Sequence, residues 1–270
     1  MYHFFVCFLK FYLDKKFVLY YSSARKQEGD GFMNIVIYNE YRHERTEPAC
    51  AEVYPNGIHA VLADFLKKGI DCNIKTFCID DVNEKMTDEV LNDTDVILWW
   101  GHMAHNEVTD ETAKRVADHV NKGMGAIFLH SGHHSKPFRL LMGTAPNLSW
   151  THNGFKEIIW TIDTTHPVAQ GIPPYFELPM EEVYGEPFDI PAPDALVFIG
   201  WYSSGHVFRS GCAFKRGRGK IFYFQPGHET YPTYKNETVQ KVILNAVNWV
   251  NPAIEKGQVN SGIDVEPIIK

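Results

Sequence analysis

Unbroken apolar runs alternate along this chain with amphipathic stretches of helical period. The runs Ile-Val-Ile-Tyr within 34–39, Val-Ile-Leu-Trp-Trp within 95–100, Ala-Ile-Phe-Leu within 125–129 and Ile-Phe-Tyr-Phe within 219–224 lack polar alternation. Strands covered on both faces read this way. Between them, 57–68 places Ile58, Val61, Leu62 and Phe65 on one helical face and stops at Gly69. The span 109–121 opens with Thr-Asp-Glu, acids at the positive end of a helix dipole. Helices are also predicted at 136–142, closed by Gly143, and at 238–250, ending before Asn251-Pro252. A strand at 73–79 and a short helix at 87–91, capped by Thr87, complete the alternation. Strand after helix after strand predicts an α/β fold with a doubly wound, mostly parallel sheet.

Two regions break this rhythm. Residues 40–56 read as a long loop through Pro48 and Pro55. After Thr144, prolines accumulate (Pro146, Pro167, Pro173, Pro174, Pro179, Pro187, Pro191, Pro193) among short strands such as 157–162. Spans 196–201 and 207–214 pair as a hairpin across Ser203-Ser204-Gly205. One α/β domain carrying a β-rich insertion accounts for both textures.

The first 32 residues differ again. They are rich in Phe, Tyr and Leu, yet Lys10, Asp14, Lys15 and Lys16 interrupt them. A membrane span needs about 20 mostly apolar residues in a row, and a signal peptide needs a basic start. The reading is a non-native or weakly ordered leader over 1–32, a domain over 33–252 and a tail over 253–270, with a membrane anchor as the lesser alternative.

Composition then removes some function classes. Over 270 residues the net charge is −7 without a basic stripe, so nucleic acid is not expected as a partner. Five scattered cysteines without a CxxC pair point to free thiols in a reducing, cytoplasmic setting rather than a cysteine zinc site. A homo-oligomer is left open.

Candidate chemistry sits where the apolar strands run out. Gly101-His102-Met103-Ala104-His105, His130-Ser131-Gly132-His133-His134 and Pro226-Gly227-His228-Glu229 each follow a predicted strand. Carboxyl ends of parallel strands share one rim, where ligands bind. His102, His105, His130, His133 and His228 are therefore candidate ligands of a divalent metal, zinc among the candidates. The plainer reading makes them hydrogen-bonded acid–base or substrate-binding groups. Glu40, beside the first strand end, is a candidate base, metal ligand or orienter of a histidine. Glu44 and Arg45 read as a solvated charged loop, and His59 heads the first helix. Ser131 could pair with His228, oriented by Glu229 or Glu40, as a serine hydrolase, or simply cap a helix. Glu181 to Glu186, with Glu182 and Tyr184, fall in the irregular section and either line the cleft or face water. Trp99, Trp100, Trp150, Trp160, Trp201, Tyr231 and Tyr234 suit sugar rings or core packing equally.

From about 33 to 252 the chain resembles the trehalose-utilisation ThuA family, within the class I glutamine amidotransferase-like fold. The stretches that carry the resemblance are Trp-Trp-Gly-His-Met-Ala-His (99–105), Leu-His-Ser-Gly-His (129–133), Glu-Glu-Val-Tyr-Gly-Glu (181–186), Phe-Arg-Ser-Gly-Cys (208–212) and Pro-Gly-His-Glu-Thr-Tyr-Pro-Thr-Tyr (226–234). The resemblance implies a flavodoxin-like three-layer sandwich and a polar cluster near His43, His130, Glu182, Tyr184 and His228. It also implies a role in catabolism of trehalose and related disaccharides through 3-keto sugars. The amidotransferase cysteine is replaced by His130-Ser131, which argues against glutaminase activity. The expectation is a metal- or histidine-assisted enzyme on a disaccharide or keto-sugar. A sugar-binding or regulatory protein without catalysis is the alternative, with the serine hydrolase third.

Overall fold

The structure, a computed structural model, describes residues 32–252. The expected leader, apart from Phe32, and the expected tail lie outside the described residues. In chain order the elements are β1 (Met33–Asn39), α1 (His43–Thr46), α2 (Pro48–Val53), α3 (Ile58–Gly69), β2 (Cys72–Phe77), α4 (Val82–Lys85), α5 (Asp88–Asn92), β3 (Val96–Trp100), α6 (Asp110–Lys122), β4 (Gly125–Leu129), α7 (Lys136–Met142), β5 (Ser149–Thr161), β6 (Tyr175–Gly185), β7 (Ala195–Tyr202), β8 (Val207–Arg216), β9 (Gly219–Phe224) and α8 (Glu237–Val250). None of the described helices is long and apolar enough to cross a membrane.

The nine strands among the described residues join one sheet in the order β2-β1-β3-β4-β9-β8-β7-β5-β6. The first five run parallel and the remainder antiparallel. Every residue of β3 and β4 is buried, as their unalternating apolar sequences require. Successive side chains point to opposite faces, so Trp99 and Trp100 serve two different cores. Trp99 packs with Val116, Val120 and Phe138 from α6 and α7, while Trp100 packs with Ile58 and Leu62 of α3 and Val239 and Ile243 of α8. The result is the expected three layers.

Helix starts follow their caps. Thr109 accepts the Thr112 N–H at 3.2 Å, Ser135 accepts from Phe138 at 3.4 Å, and Asn236 accepts from Thr238 and Val239 at 2.9 and 3.1 Å. Ser135, not Ser131, is the cap of α7.

The β-rich section continues the same sheet, β5 to β8 joining it through β9. Two expectations need correction. The 40–56 loop contains α1 and α2. Residues 181–185, read as irregular, form the buried end of β6; prolines and an edge position mask that strand's alternation.

Neighbouring β1, β3, β4 and β9 end on one edge of the sheet, which aligns the loops carrying Glu40, His102, His130 and His228. Although β6 is four places from β9 in the sheet, the Gln225 side chain donates to the Glu182 carbonyl at 3.3 Å. The β5–β6 arm therefore folds back over that edge. Close packing at the opposite edge leaves no room for growth at Gly219, where a Cβ would run into the carbonyl oxygens of Val120 and Met124. Gly219→Ala is expected to cost about 1–3 kcal/mol by overpacking. A thermal melt would show it as a clear drop in Tm; coincidence with the wild type would contradict this packing.

Candidate functional site

Buried carboxylates fix two of the histidine turns. Glu40, fully buried at the end of β1, accepts the backbone N–H groups of His102, Met103 and Ala104 at 2.8, 3.0 and 2.8 Å. Glu181 on β6 accepts from Gly227 and His228 at 3.0 and 3.1 Å and from the Thr233 hydroxyl at 2.7 Å. Glu44 does similar work before α3, accepting from the Asn39 side chain at 2.8 Å and the Ile58 N–H at 3.0 Å. Charge-assisted bonds of this type are stronger than neutral ones. They orient the loops that carry His102, His228 and His43.

Glu40 was a candidate base; its two oxygens are instead committed to the 102–104 turn. The solvated reading of Glu44 is also corrected, since it is buried, whereas Arg45 does lie outside, paired with exposed Asp80 at 2.6 Å.

The third turn holds itself. His130 adopts a left-handed backbone, φ 50°, which costs of order 1–2 kcal/mol for a residue with a Cβ. Its Nδ1 donates to the Gln225 carbonyl at 3.0 Å, and that bond turns Nε2 toward the centre. Nε2 lies 3.2 Å from Glu182 Oε2.

His102, His130, Glu182 and His228 each offer one donor atom, and all four atoms lie within 4.8 Å of one another. His43, His102 and Glu229 form a second, overlapping set within the same limit. Glu229 Oε1 is 3.5 Å from His43 Nδ1, 3.4 Å from His102 Nδ1 and 3.7 Å from His228 Nε2. His43 Nδ1, His102 Nδ1, Glu182 Oε2 and Glu229 Oε2 are buried without a hydrogen-bond partner.

The electrostatics follow from crowding imidazoles in a dry place. Burial, reinforced by the neighbouring histidines, pushes the pKa of His102 down to about 2. Burial and His130 push His228 down to about 3. For His130 burial opposes the charged form, but the carboxylates of Glu182, Glu181 and Glu229 outweigh it and raise the pKa. Burial opposes the ionised form of Glu182, yet His130 and His228 draw its pKa down. Burial raises Glu229, against the pull of His43 and His130.

Tyr184 stacks on the His130 ring with centroids 5.1 Å apart. Its hydroxyl shares a 2.6 Å hydrogen bond with Ser131 and lies 3.4 Å from His130 Nε2. Burial raises the phenol pKa far above its usual value and keeps it protonated. Ser131 is thus engaged by Tyr184; the hydrolase pairing with His228 is not formed.

A cavity of about 250 Å³ opens beside this cluster, with His102, Ser131, Glu182, Tyr184, His105 and Trp150 in its lining. His105 and His133, candidate ligands by sequence, stand outside both four- and three-residue groups. His133 bonds the His130 carbonyl through Nδ1 at 3.1 Å, and His105 stacks with His134. Burial lowers the pKa of both rings, His105 to about 4. His59 is held by Asn39 at 3.0 Å and is not part of either group. Of the aromatic residues, Trp99, Trp100 and Tyr234 are core, and Trp150 alone among the tryptophans lines the cavity. Sequence reasoning missed His152, which a bulge in β5 brings within 4.0 Å of Glu182; nothing in the local sequence announces that bulge.

The family pattern described as ThuA, trehalose utilisation, matches residues 34–250. The chain belongs to the ThuA family. Solved structures agree on the fold. A ThuA-like protein of Parabacteroides merdae is similar at 14% identity and TM-score 0.63, covering 86% of this chain and 94% of that one. A second, from Bacteroides uniformis, aligns at 16% identity and TM-score 0.58 over 81% and 91% of the two chains. The glutaminase domain of Trypanosoma brucei CTPS reaches TM-score 0.50 at 7% identity over 84% and 98%, an amidotransferase-like fold as expected. No curated protein matches the sequence. In this ThuA-family chain no cysteine lines the cavity among the described residues.

Two outcomes test the geometry. Glu40→Ala leaves three turn N–H groups without an acceptor, each costing about 1–3 kcal/mol if it stays buried, so a destabilisation of at least about 3 kcal/mol in urea unfolding is expected. A loss under about 0.5 kcal/mol would place Glu40 among ordinary surface residues. Separately, unfolded histidines take up protons near pH 6.5, whereas folded His102 does not until about pH 2. Acid thus favours unfolding, and His102 contributes a loss of about 2 kcal/mol between pH 6.5 and pH 5 in chelator-treated protein. His102→Asn should flatten that limb of the stability profile; parallel profiles would contradict the assignment.

Proposed function

We propose that this chain is a metal-assisted enzyme of trehalose-type sugar utilisation, acting on a disaccharide or its keto derivative. What supports the reading is the convergence of His102, His130, Glu182 and His228, with donor atoms within 4.8 Å. Tetrahedral zinc with bonds of about 2.1 Å separates its ligand atoms by about 3.4 Å, and the observed 3.2 Å between His130 and Glu182 and 3.9 Å between His228 and Glu182 bracket that value. The donor chemistry fits as well. His130 can donate through Nδ1 to the Gln225 carbonyl at 3.0 Å, the outer-sphere bond that orients a ligating imidazole. Glu182 Oε2, 3.2 Å from His130 Nε2, is a further acceptor for a cation.

A divalent ion bound there would polarise a sugar carbonyl or lower the pKa of a water. The protein's own groups supply the rest. Tyr184, kept protonated, donates a hydrogen bond to a substrate oxygen and is itself positioned by Ser131. Glu229, with one oxygen unpartnered and its proton affinity raised by burial, accepts a proton, from water or from the carbon beside a keto group, and returns it. Several imidazoles held neutral can hydrogen-bond hydroxyls without introducing charge.

Elemental analysis of purified protein, joined to NMR of a 3-keto-disaccharide incubated with it, tests the reading. About one equivalent of a divalent metal is expected, absent from His130→Ala together with turnover. Glu229→Gln should retain the metal and lose about 100-fold or more in kcat. Undiminished turnover by fully metal-free protein would falsify the metal-assisted reading. Tight sugar binding without turnover would favour a non-catalytic sugar receptor.

A further inference from the structure

The antiparallel end of the sheet carries more apolar surface than the fold buries. In β5 and just past it, Ile158-Ile159-Trp160-Thr161-Ile162 does not alternate with charged residues, and Ile199-Gly200-Trp201 in β7 reads the same way. Strands of this kind are ordinarily covered on both faces. One face is covered here, with Ile159, Phe176 and Phe198 buried in the core that includes Val242 of α8. On the other face, nothing among the described residues covers Trp160, Ile162, Tyr175, Trp201 and Val207, which are 45–49% exposed.

The register joins these residues into one patch. Trp160 pairs with Tyr175 on β6 and with Ile199 on β7. One rung along, Ile158 pairs with Glu177 on β6 and Trp201 on β7, and Trp201 with Val207 on β8. Directly paired residues share a face, so the patch crosses four strands. The Trp160 and Tyr175 rings lie 5.0 Å apart. At the border, exposed Lys156 and Glu177 form a 2.7 Å ion pair. Trp160 sits at the opposite end of β5 from the cavity-lining Trp150, roughly 30 Å along the strand.

We infer that this face is a two-fold interface between two copies of the chain, a proposal independent of the metal and of the sugar. Area supports it. Aromatic side chains of about 150–250 Å² each, half exposed, together with Ile162, Val207 and the border ion pair present roughly 700 Å² on one copy. A stable interface takes about 800 Å² per partner, whereas the largest apolar patch on a monomer is about 300–600 Å². The border suits a copy of itself, because a two-fold axis sets the same patch against itself and lets Lys156 of each copy meet the partner's Glu177. The face rather than the strand edge makes the contact: β6 ends the sheet, but Pro179 within it has no N–H for edge-to-edge extension.

Sedimentation equilibrium of the full chain, from about 1 to 50 μM, tests this. Wild-type protein is expected to be a dimer with a Kd of about 1 μM or tighter. Trp160→Glu combined with Trp201→Glu should weaken association about 100-fold or more, since buried aromatic anchors dominate interface energies, with the circular dichroism spectrum of the folded chain retained. Glu177→Lys should also weaken association, and adding Lys156→Glu should restore it. Glu177 lies outside the core, so this pair reads the interface even where the tryptophan variant fails to fold. A wild type that stays monomeric throughout the range overturns the interface between copies and leaves the face to a different partner. A dimer left intact by the tryptophan substitutions, or by Glu177→Lys, overturns it as well.

Discussion

Two carboxylates buried beneath the rim, Glu40 and Glu181, give the centre its shape. Each receives hydrogen bonds from consecutive backbone N–H groups of a turn that arrives from another strand. A buried carboxylate is tolerated only when its oxygens are satisfied, and here the donors that satisfy it are the turns themselves. Neither turn can reorient without stranding both a charge and several N–H groups. His102 and His228 inherit their positions from this bargain, and the cluster follows.

Once the turns are fixed, crowding does the electrostatic work. His102 lies 5.9 Å from His130 and 5.5 Å from His228, centroid to centroid, with Glu182 and Glu229 between and beside them. So many imidazoles cannot all be protonated in a dry cleft, and burial keeps His102 and His228 neutral. His130 differs because Glu182 faces it directly. Imidazole nitrogens converging with a carboxylate form a donor set suited to a divalent cation, and in the proposed reaction Tyr184 and Glu229 handle protons beside it.

The sequence disclosed the parallel half of this fold readily, since β1, β3, β4 and β9 are unbroken apolar runs and their helices carry clear caps. It also placed His102, His130 and His228 at one rim, as the structure does. It could not disclose which polar residues turn inward. Glu44 follows His43 in a charged stretch, and only the fold converts it into a buried acceptor for Ile58. Glu40 offered the chemistry of a base, but its use depends on where the 102–104 N–H groups point. Likewise His105 and His133 share the spacing of ligands, yet the turns leave them outside both donor groups. β6 was obscured because Pro173, Pro174, Pro179 and Pro187 punctuate or flank it, and because burial there comes from the arm folding back, a tertiary effect without a local signature.

Convergence of four side chains on one point is a spatial property, and anomalous diffraction reads it. Crystals of the protein grown with zinc should show a single strong anomalous peak bonded, at about 2.0–2.2 Å, to nitrogens of His102, His130 and His228 and an oxygen of Glu182, with Glu40 and Glu181 still holding their turns. Absence of a peak at saturating zinc, with those four side chains pointing to separate surroundings, would contradict the account.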